Sequence, residues 1–304
     1  MSRYTLPFVI LLAACGDASI QGSQDAAGSV VDATQAGSSD ASATPDAASA
    51  STTDFVEPGP HAVTVTTGSA TVNGCDLGYS EFTPASAPHP SLLVLGHGFQ
   101  RSAAQMAGLA EHVASFGVRV VTPEYCHSSF LDTDHQQNGL DAAALATQLA
   151  DGDAIVFAGH SAGGLAAVVA AAANEDSVAV LGLDAVDAND LASDTAASLT
   201  VPIFGIVGEP DSCNSNGNGL AMLSAAMHYG VRIAGANHCD FEDPTSGVCT
   251  GFCGAQTGGP VTARALAAAF VVWQLGLDAT GEAWATPAGS EWQRLADEGV
   301  LEAL

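Results

Sequence analysis

Between residues 61 and 277 the chain switches repeatedly between two hydrophobic patterns. Short, nearly continuous apolar runs are of strand length: SLLVLG (91–96), VRVVTP (118–123), AIVFAG (154–159), VAVLGL (178–183), PIFGIV (202–207) and VRIAG (231–235). Between them lie longer segments with helical spacing or glycine stops. These are AAQMAGLAEHVASFG (103–117), GLDAAALATQLADG (139–152), an alanine-rich stretch after residue 161, GLAMLSAAMHYG (219–230) and TARALAAAFVVWQLGL (262–277). HAVTVTT (61–67) and LGYSEFTP (77–84) predict two further strands. Continuous apolar strands alternating with helices predict an α/β fold, a mostly parallel central sheet with helices on both faces.

The N-terminal stretch obeys neither pattern. MSRYTLPFVILLAAC has one Arg, a short apolar core and a Leu-Ala-Ala-Cys ending. It is too short to span a bilayer as a mature helix and has the form of an export signal. Its end resembles the lipobox of bacterial lipoproteins, which implies lipidation of Cys15 and attachment to the bacterial envelope, at the outer membrane or cell surface; the alternative is an ordinary cleaved signal and secretion. Residues 16–56 are mainly Ala, Ser, Gly, Thr and Asp. With so little to bury they predict a disordered tether, with a reach of roughly 35 Å. Residues 57–304 are then expected to form one catalytic-size α/β domain.

Charge and cysteine content narrow the function. The chain carries 33 acidic residues against six basic ones, a formal net charge of -27. Nucleic acid is a poor partner for such a surface, because binding it requires cations that displace counterions. Cys15 aside, six of the seven cysteines remain: Cys75, Cys126, Cys213, Cys239, Cys249 and Cys253. An even number in an exported chain predicts three disulfides. No paired C-x-x-C or H-x-x-x-H spacing points to zinc, and no metal is expected. The Asn-rich DSCNSNGNG (211–219) matches no calcium-loop spacing and is expected to be structural.

The loops that carry chemistry in an α/β sheet lie beyond the carboxyl ends of its strands. GHGFQ (96–100), GHSAGG (159–164), LDAVD (183–187), GEPDS (208–212) and GANHCDFED (235–243) all fall there. Gly159-His160-Ser161-Ala162-Gly163 matches the G-x-S-x-G elbow, in which a serine sits on a strained strand-to-helix turn. The pattern alone is cheap among 33 glycines. An apolar strand before it and a helix after it make it far more specific.

A serine nucleophile needs a base and an orienting acid, here expected in the order Ser, acid, His. His228 and His238 are the histidines downstream of Ser161. His228 ends a predicted helix and is expected at a surface or C-terminal turn, so His238, just past the strand 231–235, is the expected base. Asp211 follows the strand 202–207 and is the favoured acid. Asp184 follows the preceding strand and is the alternative, otherwise a brace for the loops, with Glu209 a lesser candidate. The oxyanion hole is expected from the backbone N–H groups of Ala162 and Phe99, with Gln100 the neighbour of Phe99 to consider. If the acid and base loops converge, Cys213 would pair with Cys239. Cys75 would pair with Cys126 along antiparallel strands, and Cys249 with Cys253.

These motifs together resemble α/β-hydrolase-fold serine esterases of the chlorophyllase and cutinase-like polyester hydrolase kind. GHSAGG is similar to the chlorophyllase elbow, LGLDAVDAND to its acidic loop and NHCDFED to its His-x-Asp-Phe segment. VGEPDSC with GANHC resembles the acid and histidine loops of polyester hydrolases, including a cysteine beside each. The resemblance spans most of residues 60–275 and implies a Ser161–Asp211–His238 triad that hydrolyses carboxylic esters through an acyl-enzyme, with no cofactor. Phe99 stands where polyester hydrolases place a substrate-contacting aromatic, whereas Ala162 replaces their usual Met.

The expectation is therefore a monomeric, exported serine esterase acting on a small or polymeric ester and held at a membrane by lipid on Cys15. Rival readings are a non-catalytic hydrolase-fold surface lipoprotein and a thioesterase, lipase or peptidase on the same fold. The short connection from 184 to 202 leaves little chain for a lid.

Overall fold

The computed structural model describes residues 52–86, 90–150, 152–224 and 227–304. The expected signal peptide, Cys15 and nearly all of the expected tether lie outside the described residues.

Nine strands form one sheet: β1 (Val63–Val72), β2 (Cys75–Pro84), β3 (Leu92–Gly96), β4 (Arg119–Pro123), β5 (Ile155–His160), β6 (Ser177–Leu183), β7 (Ile203–Val207), β8 (Tyr229–Ile233) and β9 (Leu301–Ala303). Their spatial order is β1-β2-β4-β3-β5-β6-β7-β8-β9. The six strands from β4 through β3 and β5 to β8 run parallel. The antiparallel pairs are β1–β2, β2–β4 and β8–β9, at the two sides of the sheet.

The continuous apolar runs are explained by burial on both faces. Along β3, Leu93 and Leu95 enter one core while Leu92 and Val94 enter the other; along β5, Val156 and Ala158 alternate with Ile155 and Phe157 in the same way. This is the period-2 alternation of a pleated strand with no solvent face. The first core is closed by α1 (Ala107–Ala114) and the long, Ala-rich α6 (Gly259–Gln274), the second by α2 (His135–Ala150), α3 (Ala162–Ala172) and α4 (Leu191–Ala196). No described helix is long and apolar enough to cross a membrane.

Several local expectations need correction. The segment 219–230 forms no continuous helix: a 3-10 turn covers Asn218–Leu223, and β8 already begins at Tyr229. His228 is accordingly buried, not at a helix end. Its Nδ1 accepts from the Ile203 N–H at 3.2 Å, so its Nε2 carries the proton and donates to the Ala196 carbonyl at 3.2 Å. The ordered fold also starts before residue 57. Phe55 is fully buried against Phe116 and Trp284, and Thr53 Oγ1 donates to Asp278 at 2.6 Å. Two partners of those residues, Trp284 in the short helix Glu282–Ala285 and Thr280 in the turn Ala279–Gly281, lie beyond the last predicted helix.

Candidate active site

Ser161 closes β5 and caps α3 with φ 56° and ψ −124°, a conformation that strains a residue bearing a Cβ. The turn is possible because its glycines leave no room for anything larger. A Cβ on Gly159 would lie 2.2 Å from the Gly163 carbonyl, and one on Gly163 would lie 2.6 Å from the carbonyl oxygens of Gly96 and His97. The turn is pinned from the next strand as well: the Ser161 N–H donates to Leu183 O at 3.0 Å, and the Val186 N–H to Ser161 O at 3.1 Å. Ser161 therefore stands level with Asp184, the first residue after β6.

His238 opens a 3-10 turn (His238–Phe241) beyond β8 and is buried. Its Nδ1 lies 2.6 Å from Asp184 Oδ2. The preference for Asp211 is thus overturned as to geometry: Asp184, not Asp211, faces His238. Asp184 is 1% exposed, and two further donors hold it. The Gly208 N–H reaches Oδ1 at 3.0 Å, and Asn214 Nδ2 reaches Oδ1 and Oδ2 at 3.2 and 3.3 Å. Asp211 instead turns back on its own loop. Its Oδ1 accepts from the N–H groups of Cys213 at 2.7 Å and Asn214 at 3.1 Å. Glu209 is outside the cluster and accepts from the Gly235 N–H at 3.0 Å.

A histidine that sequence reasoning passed over backs the base. His160 is buried, its ring centroid is 4.4 Å from that of His238, and its Nε2–H donates to the His238 carbonyl at 3.0 Å. Burial first, then the proximity of His238 and Arg101, holds its pKa well below the usual histidine value, so it is neutral. Beyond it the fully buried Glu242 is paired with Arg101 at 2.5 Å. The signal for His160 was its place beside Ser161 inside a buried strand end, where an imidazole must find partners.

The loop after β3 packs directly on the nucleophile: a Cβ on Gly98 would be 3.1 Å from that of Ser161. His97 is buried, with a pKa lowered to about 4 mainly by desolvation. Its Nδ1–H donates to Gly98 O at 2.8 Å, and its Nε2 accepts from the Tyr125 N–H at 3.2 Å. The Arg101 N–H closes a turn onto Gly98 O at 3.1 Å, with Gln100 at φ 61°. The Gln100 N–H is engaged by Ser128 O at 3.1 Å, so of the two residues considered for that loop Phe99 keeps the candidate N–H. Ala162 opens α3, where a helix N–H lacks an intrahelical acceptor. Both expected oxyanion donors therefore sit in loops that meet at Ser161. Among the described residues no hydrogen bond joins Ser161 Oγ to His238, a link that commonly tightens only with substrate bound.

The surroundings of Phe99 were not foreseen. Its ring meets Phe130 edge-on at 5.3 Å and His135 at 5.8 Å. Phe130 is 81% exposed and Leu131 fully so, at the tip of a small hairpin of residues 128–133.

Three disulfides are present. Cys75–Cys126 joins β2 to the end of the β4 segment, as expected from antiparallel strands. The other two expected pairs are replaced by Cys213–Cys253 and Cys239–Cys249. The reason is the helix α5 (Gly247–Cys253). Its cysteines are four residues apart and so share one face, from which both reach across to the loops instead of to each other. The Asp211 loop and the His238 loop are therefore each tied to α5. Cys239, Cys249 and Cys253 have their sulfurs within 4.8 Å of one another, the sole such cluster of metal-capable atoms among the described residues, but as disulfides they offer no thiolate.

Chemically, the cluster holds a strained serine at a helix N-terminus, an imidazole whose Nδ1 meets a buried carboxylate, and the glycine loop after β3 packed against the serine. No family model and no curated protein sequence matches this chain.

Proposed function

We propose that the protein is a serine hydrolase of carboxylic esters with the α/β-hydrolase fold. Ser161 is the nucleophile, His238 the base and Asp184 the acid. The observation that carries this reading is the 2.6 Å contact between His238 Nδ1 and Asp184 Oδ2, at the turn where Ser161 holds a strained φ. The strand order and a serine at the end of the central β5 fit that fold.

With Nδ1 committed to Asp184, His238 presents Nε2 toward the nucleophile in its basic form. His238 takes the Ser161 proton as Oγ attacks the ester carbonyl, and Asp184 stabilises the imidazolium. The N–H groups of Phe99 and Ala162 receive the developing oxyanion. The imidazolium then protonates the departing alkoxide, leaving an acyl-serine. Water, deprotonated by His238, hydrolyses it and returns the acid and the free serine. No step calls for a metal or an organic cofactor. The disulfides support an oxidising compartment, in keeping with export and lipid attachment at Cys15.

The test is covalent labelling of the folded chain with a fluorophosphonate, followed by peptide mapping. The label is expected on Ser161, lost in Ser161→Ala and accompanied by turnover of p-nitrophenyl acetate. An unlabelled Ser161 in folded protein would remove the reading.

A further inference from the structure

Asn214 lies in the Asn-rich loop 211–219, sequence with no evident chemistry, yet its side chain is fully buried. Its amide orientation is fixed by fixed partners. Oδ1 accepts from the backbone N–H groups of Asp211 at 2.9 Å and Gly217 at 3.0 Å, so Nδ2 must face the other way. There Nδ2 donates to the Glu209 carbonyl at 2.8 Å and spans both oxygens of Asp184 at 3.2 and 3.3 Å. We propose that Asn214 is a positioning residue for the acid–base pair: its amide spans both oxygens of Asp184 and fixes the carboxylate in the rotamer that meets His238.

The inference rests on the hydrolase reading above and goes beyond it in assigning the whole β7 loop a role. Asp211 closes an Asx turn on Cys213 and Asn214, and Cys213–Cys253 anchors that turn to α5. The result presents one amide to one carboxylate. Asp184 is otherwise held by the Gly208 N–H and by His238, so Asn214 supplies one of three donors to a buried charge. The titratable and charged groups around this pair are His160 behind His238, the Glu242–Arg101 pair against His160, and Asp240 on the His238 turn, whose carboxylate is turned to Asn237 and Thr257; the Glu209 carboxylate points away to Gly235.

Substitution Asn214→Asp separates bracing the loop from serving the acid. The new carboxylate keeps acceptors for the Asp211 and Gly217 N–H groups but replaces the donor with a second acid against Asp184. Two carboxyls at that distance share a proton or, when both ionise, set a second negative charge beside His238. Either outcome displaces the acidic limb of the pH–rate profile by about one unit or more, to lower pH where the pair shares a proton and to higher pH where both carry charge. Asn214→Ser, too short to reach Asp184, is expected to lower kcat about 10- to 100-fold with KM within about twofold, the range for losing one hydrogen bond to a buried charge.

Both variants are assayed on p-nitrophenyl acetate from pH 5 to 9, with the Cys213–Cys253 bridge verified by non-reducing peptide mapping. A shifted limb in Asn214→Asp with a kcat-specific loss in Asn214→Ser supports the role. Profiles superimposable on the parent in bridge-intact variants overturn it while leaving the hydrolase reading untouched. A parent chain that neither labels at Ser161 nor turns over ester removes both.

Discussion

Two acidic loops leave the same end of the sheet from neighbouring strands, and their carboxylates behave in opposite ways. Asp184, after β6, is buried and bonded to residues 24, 30 and 54 positions further along the chain. Asp211, after β7, is half-buried and bonded to residues two and three positions ahead. The difference follows from the nearest amides. Ser212, Cys213 and Asn214 curl so that two N–H groups point back at Asp211, the local competition that makes Asp a turn former. After Asp184 the Val186 N–H is already engaged by Ser161 O, and Asp184 itself stands at φ 43°, which turns its side chain away from its own loop. A carboxylate with local donors stays local, and one denied them is available for a distant imidazole.

The largest expected effect comes from removing the charge on the β6 side. Asp184→Asn turns an acceptor for His238 Nδ1–H into a group that can donate, favouring the wrong tautomer. We expect kcat/KM to fall about 10³- to 10⁴-fold with the fold retained. Steady-state kinetics on p-nitrophenyl acetate, with circular dichroism as the folding control, checks this. Near-parental turnover would dissolve the distinction between the loops.

Much of this was legible in the residues. The sheet, the strained turn at Ser161, the placement of His238 in a loop beyond a strand end and the Cys75–Cys126 pair all follow from strand-length apolar runs and from loops at their carboxyl ends. The carboxylate that meets His238 did not, because strand-end position alone cannot rank Asp184 against Asp211. The Asp-Ser-Cys-Asn string was itself the available clue, since it spells an Asx turn. The crossed disulfides were missed because α5, a seven-residue helix containing two glycines, has no readable periodicity. Phe55 was assigned to the tether because a single apolar residue in a polar stretch carries no pattern, only a contact.

The two straps to α5 sharpen the comparison at a smaller scale. Cys213–Cys253 closes 40 positions on the β7-loop side, and Cys239–Cys249 closes 10 on the base side. By loop-closure entropy, replacing both members by serine costs about 4 kcal/mol for the first pair and about 3 kcal/mol for the second. Urea unfolding of each double variant measures these losses. A larger loss at the shorter loop would mean that native-state contacts, and not chain entropy, set the order.

Acid offers a third route, because the floor of the Ser161 side contains neutral histidines and residues 208–218 contain none. His97 has a folded pKa of about 4 against 6.5 in the unfolded chain, so between those values the unfolded state binds more protons. The stability it contributes is complete above about pH 6.5 and is lost as pH falls toward 4, amounting to about 3 kcal/mol. His160, lowered by the same cause, adds to the loss in the same direction. Unfolding midpoints at pH 7, 5.5 and 4 should fall steadily, and His97→Gln should flatten the slope while lowering stability overall. A slope unchanged in that variant would place the acid sensitivity elsewhere.

The smallest effect is expected where the sequence pointed first. Asp211→Asn keeps a side-chain oxygen in the same place, still able to accept from the N–H groups of Cys213 and Asn214. The Asx turn survives, Asn214 still faces Asp184, and turnover should stay within about threefold of the parent. Asp211→Leu removes the acceptor, leaves those two N–H groups without it and loosens the loop that carries Asn214. Its loss in kcat should exceed that of Asp211→Asn yet stay far below that of Asp184→Asn, because Asp211 is three hydrogen bonds of the network away from His238. Measured side by side, the three variants rank the carboxylates by their distance from the imidazole. An Asp211→Asn variant as inactive as Asp184→Asn would return the acid's role to Asp211 and require the β7 loop to rearrange on binding substrate.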